Sequence, residues 1–208
     1  MKKLFVTILL LLAATSYASQ KAITDTGEEV ILNGDGTWEY SDKAQKATNI
    51  IETNKKIFER PRDSSFLLKS TKNNSAYWIN TDKWVFKKAK DSNQAEYGFK
   101  LKGEDLYGTA ITEGIEVALE SLADIALTNA RTAAPDSKSV KQEFRIVNGK
   151  KVLYMTMNGT IQGMKFTYLG YYYSDASGST QFVTYTGTKL VDKYKLEIND
   201  FLNGLVTQ

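Results

Sequence analysis

The sequence predicts an α+β fold in which an antiparallel sheet is covered by helices and preceded by a small N-terminal β-hairpin or meander. Three observations lead there. Residues 140–187 alternate β-branched and aromatic stretches with the turn sequences "NGK", "NGTIQG" and "SDASGS", the pattern of consecutive antiparallel hairpins. Residues 111–126 and 190–205 instead repeat apolar side chains every three or four positions, the period of an amphipathic helix. Residues 21–40 hold short extended stretches separated by glycine turns.

The chain opens "MKKLFVTILLLLAATSYASQ". Lys2 and Lys3 precede an apolar run over residues 4–14, and small residues follow at Ser16 and Ala18. That order predicts a secretory signal peptide, residues 1–18, cleaved after Ala18. The apolar run falls short of the roughly 20 residues that cross a bilayer as a helix, so no transmembrane segment is expected after cleavage. A bacterial lipoprotein would carry cysteine next, and Ser19 stands there. The expected location is the periplasm or the external medium.

Residues 19–40 are the predicted N-terminal β segment: "KAIT", the turn "DTGE", "EVILN", the turn "GDG", and "TWEY". Asn and Gly tolerate the positive φ of tight turns, while Val30, Ile31, Trp38 and Tyr40 favour extended backbone. The acidic turn fails as a calcium loop. With Asn33 and Asp35 at the third and fifth ligand positions, Ile31 would occupy the first. The stretch resembles a short "DGTW" segment that opens many uncharacterised bacterial exported proteins, which supports export. Residues 41–76 are polar and mixed and are expected to form a connector, with a short helix over 44–58.

Residues 77–208 are expected to form the main domain. Strands are predicted around Trp84, in "AEYGFKLKG" and in "DLYGTAIT". A helix then begins at Thr112 as N-cap, with Ile111, Ile115, Ala118, Leu119, Leu122, Ile125 and Ala126 as its buried stripe. Glu113 and Glu116 suit its positive end and Arg131 its negative end, and Pro135 stops it. The four-strand run follows. A closing helix is predicted from Leu190, Val191, Tyr194, Ile198, Phe201, Leu202 and Leu205. Helices are expected to cover the sheet.

Trp84 in an early strand, "VNGKKVLYMTMNG" and "MKFTYLGYYY" in the hairpin run, and "TYTGTKLVDKYKLEINDFLNGL" at the end resemble the PsbP-like superfamily over residues 77–206. The resemblance implies a PsbP-like fold and a protein-binding or assembly role, since the studied members are mainly non-enzymatic. Some PsbP proteins have metal-binding histidines. This chain has none to carry over.

The chain lacks histidine and cysteine altogether. Disulfides, Ser-His-Asp and Cys-His chemistry and the usual zinc, copper and haem ligands are thereby excluded. Carboxylates, lysines, tyrosines and hydroxyls are left for catalysis, and oxygen ligands for hard cations. Loss of Lys2 and Lys3 with the signal peptide lowers the formal charge from +3 to +1, so nucleic acid is not an expected partner. Glu113, Glu116, Glu120 and Asp124 fall three or four apart, a row of carboxylates expected on the solvated face of the long helix. In "FTYLGYYY", Phe166, Tyr168, Gly170 and Tyr172 share one side of a strand and Thr167, Leu169, Tyr171 and Tyr173 the other. Tyr171 and Tyr173 are the candidate partner surface, because an exposed tyrosine row offers a partner or a sugar both ring area and polar tips. No catalytic, cofactor or metal residue is assigned. The expected function is an exported, non-catalytic protein-binding or assembly factor with a protein partner at the cell envelope. A carboxylate- or hydroxyl-dependent hydrolase and a small-ligand carrier are the alternatives.

Overall fold

The computed structural model describes residues 20–23, 29–34, 37–40, 51–89 and 95–208. The predicted signal peptide and residues 44–50 of the predicted connector helix lie outside the described residues. The chain divides into two units, residues 1–50 and 51–208.

In the first unit, β1 (Gln20–Ile23), β2 (Glu29–Leu32) and β3 (Trp38–Tyr40) form an antiparallel sheet in chain order. The Asn33 N–H donates to the Thr37 carbonyl at 2.8 Å, and its side-chain amide donates to Thr37 Oγ1 at 3.1 Å. These bonds join the two ends of the β2–β3 connection.

The second unit starts with β4 (Thr53–Phe58), β5 (Phe66–Lys69), β6 (Ser75–Ile79), β7 (Trp84–Lys88), β8 (Tyr97–Leu101) and β9 (Leu106–Glu113). Helix α1 (Leu119–Ala133) follows, then β10 (Lys138–Val147), β11 (Lys150–Ile161), β12 (Met164–Asp175) and β13 (Gly178–Gly187). A 3₁₀ turn (Thr188–Leu190), α2 (Lys195–Leu202) and β14 (Leu205–Thr207) end the chain. One eight-stranded sheet has the order β4-β10-β11-β12-β13-β9-β8-β7, and a second sheet has the order β14-β6-β5.

The hairpin run β10–β13 pairs antiparallel as its turn chemistry requires. Asn148-Gly149 and Gln162-Gly163 both sit at positive φ, which matches hairpin twist. The second turn is tighter than the predicted "NGTIQG", whose first four residues stay in β11.

Several expectations are corrected. The fold is mostly β, with fourteen strands and two α-helices among the described residues, rather than an α+β antiparallel sheet covered by helices. Its large sheet is mixed, because β4 pairs parallel with β10. Much of one face is covered by the second sheet. Residues 53–58, 66–69 and 75–76 are strand rather than connector or helix. Thr112 caps no helix: it lies in β9, fully buried, because β9 continues its pairing with β13 as far as Glu113. Strand pairing there overrides helical periodicity. Helix α1 therefore begins seven residues later, leaving Ile115 68% exposed. The closing helix is likewise short. Leu205 belongs to β14, paired with Tyr77 of β6. Gly204 permits that return, since a Cβ there would stand 2.2 Å from the Trp78 carbonyl oxygen.

Two apolar layers follow from strand alternation. On one face, α2 and β6 bury Phe99, Leu106, Tyr154, Leu169, Tyr171 and Phe182. Phe201 of α2 is the central ring there, stacked on Trp84 at 4.2 Å and Phe182 at 4.5 Å and set edge-on to Phe99 at 5.0 Å. On the other face, α1 packs Leu122, Ala123 and Ala126 against Leu153, Met155, Met157 and Tyr172. Helix α1 packs chiefly on β11 and β12.

A buried carboxylate ties the elements. Glu96, 3% exposed, accepts hydrogen bonds from Ser70 Oγ (2.7 Å), the Thr71 N–H (2.7 Å), Thr71 Oγ1 (2.8 Å) and Thr112 Oγ1. Burial pushes its pKa up, but these donors outweigh burial and hold it below the usual glutamate range. A carboxyl with depressed folded pKa contributes stability above its unfolded pKa, and that contribution is lost as pH falls through the folded value.

Two measurements check this packing. Phe201→Ala should cost about 3–5 kcal/mol in urea unfolding, the usual range for deleting a core aromatic. Glu96→Gln should cost about 1–3 kcal/mol at neutral pH by leaving donors mismatched. The difference from wild type should shrink as pH falls below the ordinary glutamate range, where the unfolded chain takes up a proton at Glu96 first, and vanish once the folded carboxyl is protonated too.

Candidate functional site

The structure places both residues of the predicted partner surface in the core. Tyr171 is fully buried and Tyr173 is 7% exposed. The Tyr171 hydroxyl accepts from Arg145 Nη1 at 3.2 Å and donates to Asn203 Oδ1 at 2.8 Å. The Tyr173 hydroxyl donates to Asp175 Oδ2 at 2.9 Å, and burial together with that carboxylate pushes its pKa up to about 12. Alternation grouped these residues with Leu169 correctly. That side of β12, however, is the one α2 and β6 cover, so neither tyrosine is a surface.

The predicted row of four carboxylates is also dispersed. Glu113 ends β9, Glu116 lies in the connection to α1, and only Glu120 and Asp124 are on the helix. Among the described residues, no group of three or more acidic side chains is arranged to hold a metal.

The opposite side of β12 carries the more informative feature. Register places Met157, Tyr168, Tyr185, Tyr107 and Lys100 side by side in one row across β11, β12, β13, β9 and β8. The Tyr168 and Tyr185 rings are 5.8 Å apart, and the Tyr185 and Tyr107 rings stack at 5.5 Å. Lys100 Nζ lies 5.2 Å from the Tyr107 ring centre. All three tyrosines are half-buried. Burial pushes the Tyr168 and Tyr185 hydroxyls up, so both are neutral donors at physiological pH. Each cross-strand pair contributes roughly 0.2–1 kcal/mol to the sheet.

Beside this row, between α1 and the sheet, is a cavity of about 310 Å³. Ile125 and Ala130 of α1 form one wall, and Tyr168, Tyr172, Val183 and Tyr185 form the floor. The Tyr172 hydroxyl is buried with no hydrogen-bond partner among the described residues. Glu113 is the one carboxylate lining the cavity. Carboxylate-pair hydrolysis needs two facing acids, so the site suits binding by stacking, apolar contact and neutral hydrogen bonds.

The sequence showed Tyr168 on this side. It did not show Tyr107 and Tyr185 beside it, because Tyr185 pairs with Tyr168 on one side and with the distant Tyr107 on the other, and such pairings are set by register rather than by local pattern.

No family model and no curated protein matches the sequence. Among solved structures, the chain resembles cyanobacterial PsbP (CyanoP) from Synechocystis sp. PCC 6803, with a TM-score of 0.53 and 12% identity over 71% of this chain and 95% of that one. A Pseudomonas aeruginosa protein of unknown function aligns with a TM-score of 0.43 and 11% identity, over 60% of this chain and 83% of that one. The chain has a PsbP-like fold. The expected resemblance therefore holds for architecture.

The two sides of β12 should respond differently to truncation. Tyr171→Ala should cost about 3–5 kcal/mol in urea unfolding, as for other buried aromatics. Tyr107→Ala should cost less than about 1.5 kcal/mol, the sum of a cross-strand pair and partial burial.

Proposed function

We propose that this protein is an exported, non-catalytic binding factor that holds or helps assemble another protein at the cell envelope, docking through the open tyrosine row. The row itself carries the proposal: Tyr168, Tyr185 and Tyr107 form a continuous half-exposed ring surface ending in Lys100. Tyrosine suits such a role, because it offers large contact area, few rotatable bonds and a hydroxyl for orientation. The signal-like N-terminus supports export. Among the described residues, no helix is long and apolar enough to cross a membrane. The absence of imidazole and thiol removes the commonest nucleophile-base pairs, which supports a non-catalytic role.

A second function is favoured by one observation. The 310 Å³ cavity beside the row is at the lower end of the range for small-ligand sites, and the unpaired Tyr172 hydroxyl faces the same layer. A carrier would hold a compact, mostly apolar molecule there.

Affinity capture from an envelope extract separates these functions. A protein partner should be retained by wild type and by Leu196→Ser, which alters an exposed residue of α2 on the other face. Retention should drop at least about tenfold with Tyr107→Ser and Tyr185→Ser, the scale of an interfacial aromatic. Retention indifferent to both changes would remove the row as the docking surface. A small molecule released on denaturation, without a protein partner, would favour the carrier.

A further inference from the structure

A second cleft, of about 490 Å³, opens on the α2 side of the large sheet, between α2 and the strands β4, β10 and β11. Its walls combine apolar and cationic groups. Phe58, Leu169, Val191 and Ile198 supply the apolar part. Lys56, Lys141, Lys195 and Arg145 supply the charge.

Arg145 is unusual in being 7% exposed and charged. Its Nε and Nη2 meet Glu143 Oε1 at 2.6 and 2.5 Å, and Nη1 donates to the Tyr171 hydroxyl at 3.2 Å. Its Cζ lies over the Tyr154 ring, 3.6 Å from the ring centre, so a cation–π contact as well as hydrogen bonds holds its position. A guanidinium has five N–H groups, and these contacts do not use all of them.

The charge balance of the cleft is lopsided. Lys141 also pairs with Glu143, at 3.0 Å. Burial pushes Glu143 up, but hydrogen bonds from Lys141, Arg145 and Asn54 hold its pKa below the usual range, so it stays ionised. Four cations thus face two carboxylates, Glu143 and the lining Asp192. Lys56 and Lys195 have no carboxylate within ion-pair distance among the described residues. An excess of positive charge over an apolar floor attracts an anion and desolvates its hydrocarbon part.

We propose that this cleft binds a small amphiphilic anion, a carboxylate or phosphate head on an apolar body. Lys56, Lys141 and Lys195 hold the head, and Phe58, Leu169 and Ile198 hold the body. The volume accommodates a free small molecule, and the site is independent of the tyrosine row on the other face.

Titration calorimetry with octyl phosphate, octanoate and octylamine, each below its micelle concentration, tests the assignment. The two anions should bind saturably at one site, and octylamine should show no binding. Lys56→Glu and Lys195→Glu, both exposed and so expected to fold, should each weaken the anions by about tenfold, equivalent to about 1.4 kcal/mol. Val191→Trp, which fills the cleft without altering charge, should abolish binding. Tyr107→Ser should leave it unchanged, which separates this site from the proposed docking row. Equal binding of octylamine would overturn the proposal. So would affinities unaltered in lysine variants that unfold normally, or binding confined to vesicles of anionic phospholipid with none to the free anions.

Discussion

The ring of Phe201 is the contact on which the rest of the second unit depends. An eight-residue helix has little stability of its own, because nucleation costs are hardly recovered over two turns. Tertiary packing must hold α2 in place. Phe201 does so by entering the space between Trp84, Phe99 and Phe182, three rings contributed by β7, β8 and β13. The fit constrains the sheet in return: a Cβ on Gly108 of β9 would lie 3.0 Å from the Phe201 ring. With α2 fixed, Gly204 turns the chain against β6, and β14 completes the second sheet.

Without disulfides, fixed points away from this aromatic centre are polar. Asn148, in the β10–β11 turn, donates to the carbonyls of Asn203 and Leu205 at 2.7 and 2.8 Å, and its Oδ1 accepts from the Arg60 N–H at 2.9 Å. One turn residue therefore joins three distant segments. Glu96, just before β8, likewise joins the connection after β5, at Ser70 and Thr71, to Thr112 of β9. Buried polar groups are costly when unpaired and specific when paired, so these bonds discriminate one chain path from near alternatives.

The hairpin run was legible because its information is local. Turn residues at Asn148-Gly149 and the alternation of residues 150–187 report on the strands that contain them. Where long-range pairing decides, local pattern failed. Residues 111–118 have helical spacing, yet β13 offers β9 a ladder partner as far as Ser179–Glu113, and the strand continues. "SAYWI" is short and sits in a polar stretch, but becomes β6 because β5 and β14 flank it on both sides. At the candidate site, alternation correctly sorted Tyr168 and Tyr172 from Tyr171 and Tyr173. That Tyr168 alone of the four would stay half-exposed was not encoded in β12. It depends on β6 arriving over one face and α1 stopping short on the other.

That asymmetry also explains why the open row merits a functional account. A half-covered sheet needs side chains that tolerate partial exposure, and threonine or valine would satisfy β-propensity there. Three adjacent tyrosines add ring area that water contacts on one side and hydroxyls that packing does not require. On the covered face, by contrast, the Tyr171 and Tyr173 hydroxyls each have protein partners. The same residue type thus occupies two different environments on the two faces of the sheet. Where α2 and β6 lie above it, its polar tip completes an internal network; in the row from Tyr168 through Tyr185 to Tyr107, the rings pack against one another across the strands and stay half-exposed.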